Sequence, residues 1–196
     1  MKKIICFLFV RKNRIVKMNK ISHDPNEIID VVDEFDNVIG STTRKEVHTK
    51  GILHREVYVY LINSNKEVLL QKRKDNHLWD HSIGGHFPIN QSYEVAALRE
   101  SKEELGITLN NQDLKEVAKE KFIKIKTSHK GLNKRFAKIF LIKKDIPLTK
   151  FKIDKEEIEE IRYFNIDELK KLLLTPSKMT ISSKKILEKY ILKELK

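Results

Sequence analysis

Gly84-Gly85-His86-Phe87-Pro88-Ile89-Asn90-Gln91-Ser92-Tyr93-Glu94-Val95-Ala96-Ala97-Leu98-Arg99-Glu100-Ser101-Lys102-Glu103-Glu104-Leu105-Gly106-Ile107 is the stretch that decides the fold. Its second half has helical periodicity, with Val95, Leu98 and Leu105 available for an apolar side and Gly106 as the stop. On such a helix Glu100, Glu103 and Glu104 stand at i, i+3 and i+4, so three carboxylates share one face. Like charges at those spacings repel by roughly a few tenths of a kcal/mol per pair, and a cation gathered by the same face turns that repulsion into attraction. Hard carboxylate oxygens select Mg²⁺, Mn²⁺ or Ca²⁺ over zinc or copper. An acidic helix face is by itself usually solvated surface. Here the context is narrower: two glycines open the segment, an arginine directly precedes the first glutamate, and a Gly-Ile pair closes it.

The spacing is Gly85, five residues, Gln91, seven residues, Arg99-Glu100, two residues, Glu103-Glu104, one residue, Gly106-Ile107. This resembles the Nudix box, and on it the chain is identified as a member of that family. Two positions depart from the pattern: Gln91 stands where the box has its first glutamate, and Ser101 where an aliphatic is usual. Glutamine keeps a carbonyl acceptor and loses the charge. The resemblance implies that Glu100, Glu103 and Glu104 hold metal ions (Mg²⁺ or Mn²⁺), that Arg99 orients a glutamate, and that Glu100, Glu103 and Arg99 are catalytic. It also implies Gly85 and His86 beside the substrate, a Nudix-type α/β/α sandwich with a mixed β-sheet, and a possible homodimer.

Length and composition fit that reading. A chain of 196 residues corresponds to one domain with a core of its own. The single cysteine, Cys6, excludes an internal disulfide and points to a reducing compartment. The formal charge of +12 is concentrated: seven lysines and arginines and no acid lie in residues 1–20, so the remainder carries only +5. That modest excess suits a phosphorylated small-molecule substrate and is not evidence for nucleic acid. The apolar run 4–10 is too short to span a bilayer, and Arg11-Lys12-Asn13-Arg14 stands where a signal-peptide cleavage site would be. We expect a basic, disordered tail over 1–22, one domain over 23–196 with the box at 85–107, and a cytoplasmic protein without stable membrane insertion.

Along the chain, 28–32 and 38–40 read as an N-terminal β-hairpin, and 43–48 as a short helix capped by Thr42 or Thr43. Residues 54–63 place Val57, Val59 and Leu61 on one face and Tyr58, Tyr60 and Ile62 on the other, which predicts a central strand covered on both sides. A return strand at 67–73, strands at 117–125, 135–142 and 161–164, and C-terminal helices at 167–174 and 181–195 complete the prediction, with Trp79 as a packing aromatic.

The region before the box is similar to the branch of the family that resembles type I isopentenyl-diphosphate isomerase. The similarity rests on Asp30-Val31-Val32-Asp33-Glu34, Asn37-Val38-Ile39-Gly40, Arg44-Lys45-Glu46-Val47-His48, Gly51 and Leu53-His54-Arg55. That resemblance implies a metal held by histidines and glutamates: His48 and His54 approximate two ligands and His86 matches a third. Gly84, however, occupies the position of the acid/base cysteine, and Asn133 and Arg135 fall where the isomerase has Glu-x-Glu. Taken singly, His48 and His54 read as ordinary polar or packing residues. The expected function is metal-dependent hydrolysis of a diphosphate bond in a nucleoside diphosphate linked to another moiety. Arg55, Arg73 or Lys72 would hold phosphate, and a box glutamate or a loop acid, Glu156 or Glu157, would be the base. The alternatives are an isomerase-like enzyme and a non-catalytic nucleotide- or RNA-binding domain.

Overall fold

The computed structural model describes residues 24–126 and 132–196. The expected tail over 1–22 lies outside the described residues, as does the loop with Ser128, His129, Lys130 and Gly131. Strands β1 (Ile28–Val32) and β2 (Val38–Thr43) form the expected antiparallel hairpin, with β2 longer than its apolar residues indicate. Helix α1 (Arg44–Lys50) is capped by the Thr43 hydroxyl, which accepts from the Glu46 amide, and ends at Gly51.

Strand β3 (His54–Ile62) organises the sheet. It runs parallel to β8 (Leu132–Lys143) along its whole length, His54 opposite Arg135 and Ile62 opposite Lys143. Its other edge pairs antiparallel with β6 (Ile83–His86) and, further along, with β4 (Val68–Arg73). Strands β5 (Trp79–Asp80), β7 (Lys115–Lys126) and β9 (Ile158–Phe164) extend the mixed sheet beside β4, β8 and β4 respectively.

The two-faced reading of β3 holds. Tyr58, Tyr60 and Ile62 pack into one core with Leu169, Leu172 and Leu173 of α3 (Ile166–Leu173) and Ile186 of α4 (Ile181–Ile186). The helical path continues through a π turn over Leu187–Ile191 and a 3-10 turn over Leu192–Leu195, as the periodicity of 181–195 anticipates. Val57, Val59 and Leu61 pack on the opposite side against α2 (Tyr93–Leu105). The result is the α/β/α sandwich. Trp79 packs edge-on against Phe164, with ring centres 4.8 Å apart.

One expectation about α2 needs correcting. Val95 is 51% exposed, and the inward face is instead Tyr93, Ala96, Ala97, Glu100, Ser101, Glu104 and Leu105. Small residues lie where a helix must approach a strand closely, and β6 meets them with Gly84 and Gly85. Ser101 fits this contact because its hydroxyl donates to the Ala97 carbonyl at 2.6 Å. The Ser92 side chain caps the helix start, and Gly106 closes it at φ 67°, where an added Cβ would lie 2.6 Å from that of Lys152.

Candidate active site and metal centre

Two donor sets flank β6, one on each side. On the α2 side, Glu100 and Glu104 are 4% and 3% exposed, so the box carboxylates are turned inward and not toward bulk water. Glu104 accepts from the Gly84 amide and from Gln71 Nε2, each at 3.2 Å. Arg99 is the clamp. It donates to Glu100 Oε1 at 2.8 Å, to Glu103 Oε2 at 2.5 Å, to the His86 carbonyl at 3.1 Å and to Gln91 Oε1 at 3.4 Å. Gln91, the neutral replacement, therefore still meets this arginine. An ideal Cβ on Gly85 would lie 2.7 Å from Glu100 Oε1, so the absent side chain is the room the carboxylate occupies. Buried oxygens of this kind, backed by glycine and gathered by an arginine, fit a hard divalent cation.

On the other side of β6 the structure gathers His48, His54, Glu56 and His86, with one donor atom from each lying within 4.8 Å of the others. His48 and His54, which singly read as ordinary polar or packing residues, are thus brought together with His86. Strand alternation puts His54 and Glu56 on the same face, β6 brings His86 opposite Glu56, and α1 supplies His48. His86 Nε2 is 3.0 Å from His48 Nε2, from His54 Nε2 and from Glu56 Oε1. One ring N–H serves only one of these three neighbours. His54 Nδ1 lies 2.9 Å from the Ile52 carbonyl, which only an N–H can satisfy, so a neutral ring carries its lone pair on Nε2, inside the cluster. Such a convergence of nitrogen and carboxylate donors is one that a cation would fit. Donor separations of 3.0 and 3.9 Å are close to the ~3–4 Å between neighbouring ligands of an ion bound at 2.0–2.2 Å. A backbone-bonded imidazole is also how a ligating histidine is commonly held.

Electrostatics keep His48, His86 and Glu56 deprotonated. Burial, reinforced by the neighbouring His54, lowers His48 to about 4. Burial and the Arg44 guanidinium hold His86 well below the usual histidine range. Burial works against ionisation of Glu56, but the Arg135 guanidinium outweighs it and keeps the carboxyl well below its ordinary value. Arg135 Nε is 2.6 Å from Glu56 Oε2, and Asn133 Nδ2 donates to Oε1 at 2.8 Å while its own Oδ1 is buried without a hydrogen-bond partner. Sequence reasoning missed Glu56. The signal was a carboxylate two residues after His54 on a strand otherwise apolar on both faces.

The remaining predicted residues are placed as follows. Arg55 is paired with Asp36 at 2.7 Å, and Arg73 with Asp75 at 2.8 Å and Asp80 at 3.5 Å. Lys72 pairs with Glu159 at 2.7 Å. The loop bearing Glu156 and Glu157 is tied to the end of α2 by amide bonds from Lys152 to the Leu105 carbonyl (2.9 Å) and from Asp154 to the Glu104 carbonyl (2.8 Å). At Gly84 an added Cβ would meet Tyr58 Cδ1 at 2.8 Å, so the Tyr58 ring occupies the space a cysteine there would need. No helix of the described residues is long and apolar enough to cross a membrane.

Comparison with known proteins agrees with this fold. Residues 52–190 match the NUDIX domain family, and the chain belongs to it. A Nudix hydrolase of Streptomyces coelicolor is 35% identical over 45% of the chain, and the chain spans about half of that relative's length, 52%. Isopentenyl-diphosphate Delta-isomerase 1 of Mesocricetus auratus is 32% identical, covering 75% of this chain and 73% of its own. The crystal structure of DR0079 from Deinococcus radiodurans superposes with a TM-score of 0.65 at 20% identity, covering 83% of this chain and 98% of that one.

Proposed function

We propose that the chain is a metal-dependent hydrolase that cleaves a diphosphate bond in a small molecule, a nucleoside diphosphate linked to another moiety. The observation that carries the reading is the inward-turned pair Glu100 and Glu104 behind the glycines of β6, with Arg99 holding Glu100 and Glu103. Glu100, Glu103 and Glu104 would hold a divalent cation of the Mg²⁺ type, which would supply charge neutralisation for the diphosphate and a lowered pKa for the attacking water. The chain's own residues do the rest. Arg99 fixes Glu100 and Glu103 so that their oxygens need little reorganisation. Either Glu100 or Glu103, or the loop acids Glu156 and Glu157, takes the proton from water. Of the two arginines, Arg73 lies close enough to Glu104 to feel its charge. To meet a phosphate, Arg73 would have to leave Asp75 and Arg55 would have to leave Asp36.

The test is a panel of nucleoside diphosphate derivatives with and without Mg²⁺, using Glu103→Gln as the variant. Glu103 is partly exposed, so the substitution leaves folding intact. We expect turnover to fall by about 10²–10³-fold, the scale on which one pre-placed electrostatic group acts. Tight ligand binding with no turnover on any substrate would favour the non-catalytic reading.

A specific observation, the three converging imidazoles, favours a second metal centre and with it an isomerase-like alternative. Proton transfer at carbon needs an acid and a base at that centre. Here Gly84 offers no side chain, its space is filled by Tyr58, and Arg135 stands in place of a carboxylate. The His48–His54–Glu56–His86 set is thus read as a metal centre without isomerase chemistry.

A further inference from the structure

The corner where α3 passes into α4 combines two properties. Residues 169–187 hold five lysines and no acid. Leu169, Leu172 and Leu173 of α3 and Ile186 of α4 face the core, but Leu174 and Ile181 are 83% and 73% exposed. The two lie at one corner, because Lys184 donates to the Leu173 carbonyl at 3.0 Å and so ties the start of α4 to the end of α3. Each aliphatic has two lysines one helical turn away: Lys170 and Lys171 before Leu174, and Lys184 and Lys185 after Ile181. Lys178 stands between them in the exposed turn Pro176–Lys178. Lys170, Lys184 and Lys185 have carboxylates at 3.8 Å (Asp167), 3.7 Å (Glu188) and 2.7 Å (Glu120). The ammonium groups of Lys171 and Lys178 have no ion-pair partner among the described residues.

We propose that this corner is a docking surface for an anionic phospholipid bilayer. Leu174 and Ile181 enter the boundary between headgroups and acyl chains, and the lysines meet the lipid phosphates. Interfacial binding needs only these two elements, projecting apolar side chains and cations near an anionic leaflet. A protein partner needs far more area, about 800 Å² a side, than two aliphatics offer. Nucleic acid would make use of the lysines and leave the aliphatics without a role. Phe35 is more exposed still, at 85%, but it stands among Asp33, Glu34 and Asp36, whose charge an anionic surface repels. The corner belongs to the layer of helices opposite α2, so the contact does not cover the box helix.

Ile181→Trp in the full chain puts an indole at the contact. The natural tryptophan, Trp79, packs against Phe164, and the wild type supplies its background. With mixed phosphatidylcholine–phosphatidylglycerol vesicles the emission should shift to the blue and be quenched by brominated lipid tails. With phosphatidylcholine alone it should do neither. In vesicle sedimentation, Leu174→Ser combined with Ile181→Ser should weaken binding by about 10–100-fold, the worth of two aliphatic side chains partly removed from water. Lys171→Gln combined with Lys178→Gln should weaken it by about 10-fold, and added salt should mimic that loss. All four positions are exposed, so folding should be retained, which urea unfolding checks. Residues 1–20 carry seven lysines and arginines of their own. Binding through that segment would leave the indole at position 181 unshifted and the double serine variant at wild-type affinity, and either result overturns the proposal. A wild type that does not bind the mixed vesicles overturns it as well, and single-stranded RNA binding lost in the lysine variant would then assign the corner to nucleic acid.

Discussion

Gly85→Ala adds one methyl group at the point where the box helix meets the sheet. The new Cβ would lie 2.7 Å from Glu100 Oε1 and 2.9 Å from its Cδ, roughly 0.7 Å inside ordinary contact with the nearer atom. The carboxylate cannot simply turn away, because Arg99 Nη2 holds the same Oε1 at 2.8 Å and α2 holds its backbone. The clash is therefore relieved by retreat of the carboxylate, by loss of the arginine contact, or by a shift of the helix. Misplacing a reacting constellation by about 1 Å can cost on the order of 10²-fold in rate. A displacement of this size is thus expected to lower Mn²⁺ affinity and metal-dependent turnover by about 10–100-fold. Overpacking costs about 1–3 kcal/mol of stability, enough to read in urea and too little to unfold the domain. Gly40→Ala is the control: nothing lies within 4 Å of its Cβ, and it should leave activity unchanged. Calorimetric Mn²⁺ titration alongside urea unfolding separates the two effects. Wild-type Mn²⁺ affinity and turnover in Gly85→Ala would refute the claim that Glu100 works from its place behind Gly85.

The buried pair of Glu56 and Arg135 gives a second expectation. Glu56→Gln strands a buried guanidinium and should destabilise the apoprotein by about 3–5 kcal/mol, while Glu56→Leu combined with Arg135→Met should cost much less than the two single changes together; additive costs in urea unfolding would show that the pair is not coupled. A third concerns His81, which is buried against Tyr60 and stacked on Tyr58. Burial, only partly opposed by Asp80, lowers its imidazole to about 4 from an ordinary 6.5. The unfolded chain therefore takes up a proton first: His81's contribution is in place above pH 6.5 and is lost as pH falls toward 4, by about 3 kcal/mol. Unfolding free energies of wild type and His81→Gln should converge over that window, and parallel pH profiles would count against the assignment.

The sequence carries local information well and long-range register poorly. The two-sided apolarity of β3 and the cap-to-cap extent of α2 are readable because each depends on residues a few positions apart. The direction α2 faces is not: large apolar side chains point to Val95, but close approach to Gly84 and Gly85 turns Ala96, Ala97 and the carboxylates inward. Strands β5 and β6 are too short, and β6 too rich in glycine, to register as strands at all. The histidine set depends on the parallel pairing of β3 with β8, which brings Arg135 beside His54, and on β6, which places His86 opposite Glu56. No periodicity within either segment encodes those pairings. The three histidines are legible only through the family resemblance, and Glu56 only as a carboxylate two residues after His54 on β3.

The placement of the two donor sets follows from the alternation of β6. Gly85 faces α2 and its carboxylates, whereas Gly84 and His86 face Tyr58 and the histidines. On one side three carboxylates stand against one guanidinium, Arg99, and that surplus of negative charge suits Mg²⁺, which gives up its water reluctantly and binds through hard oxygens. On the other side one carboxylate stands against one guanidinium, Arg135, and three imidazoles stand with Glu56 as a nitrogen-rich donor set. That asymmetry supports the proposal of diphosphate chemistry on the α2 side of β6, where Arg99 also donates to the His86 carbonyl at 3.1 Å.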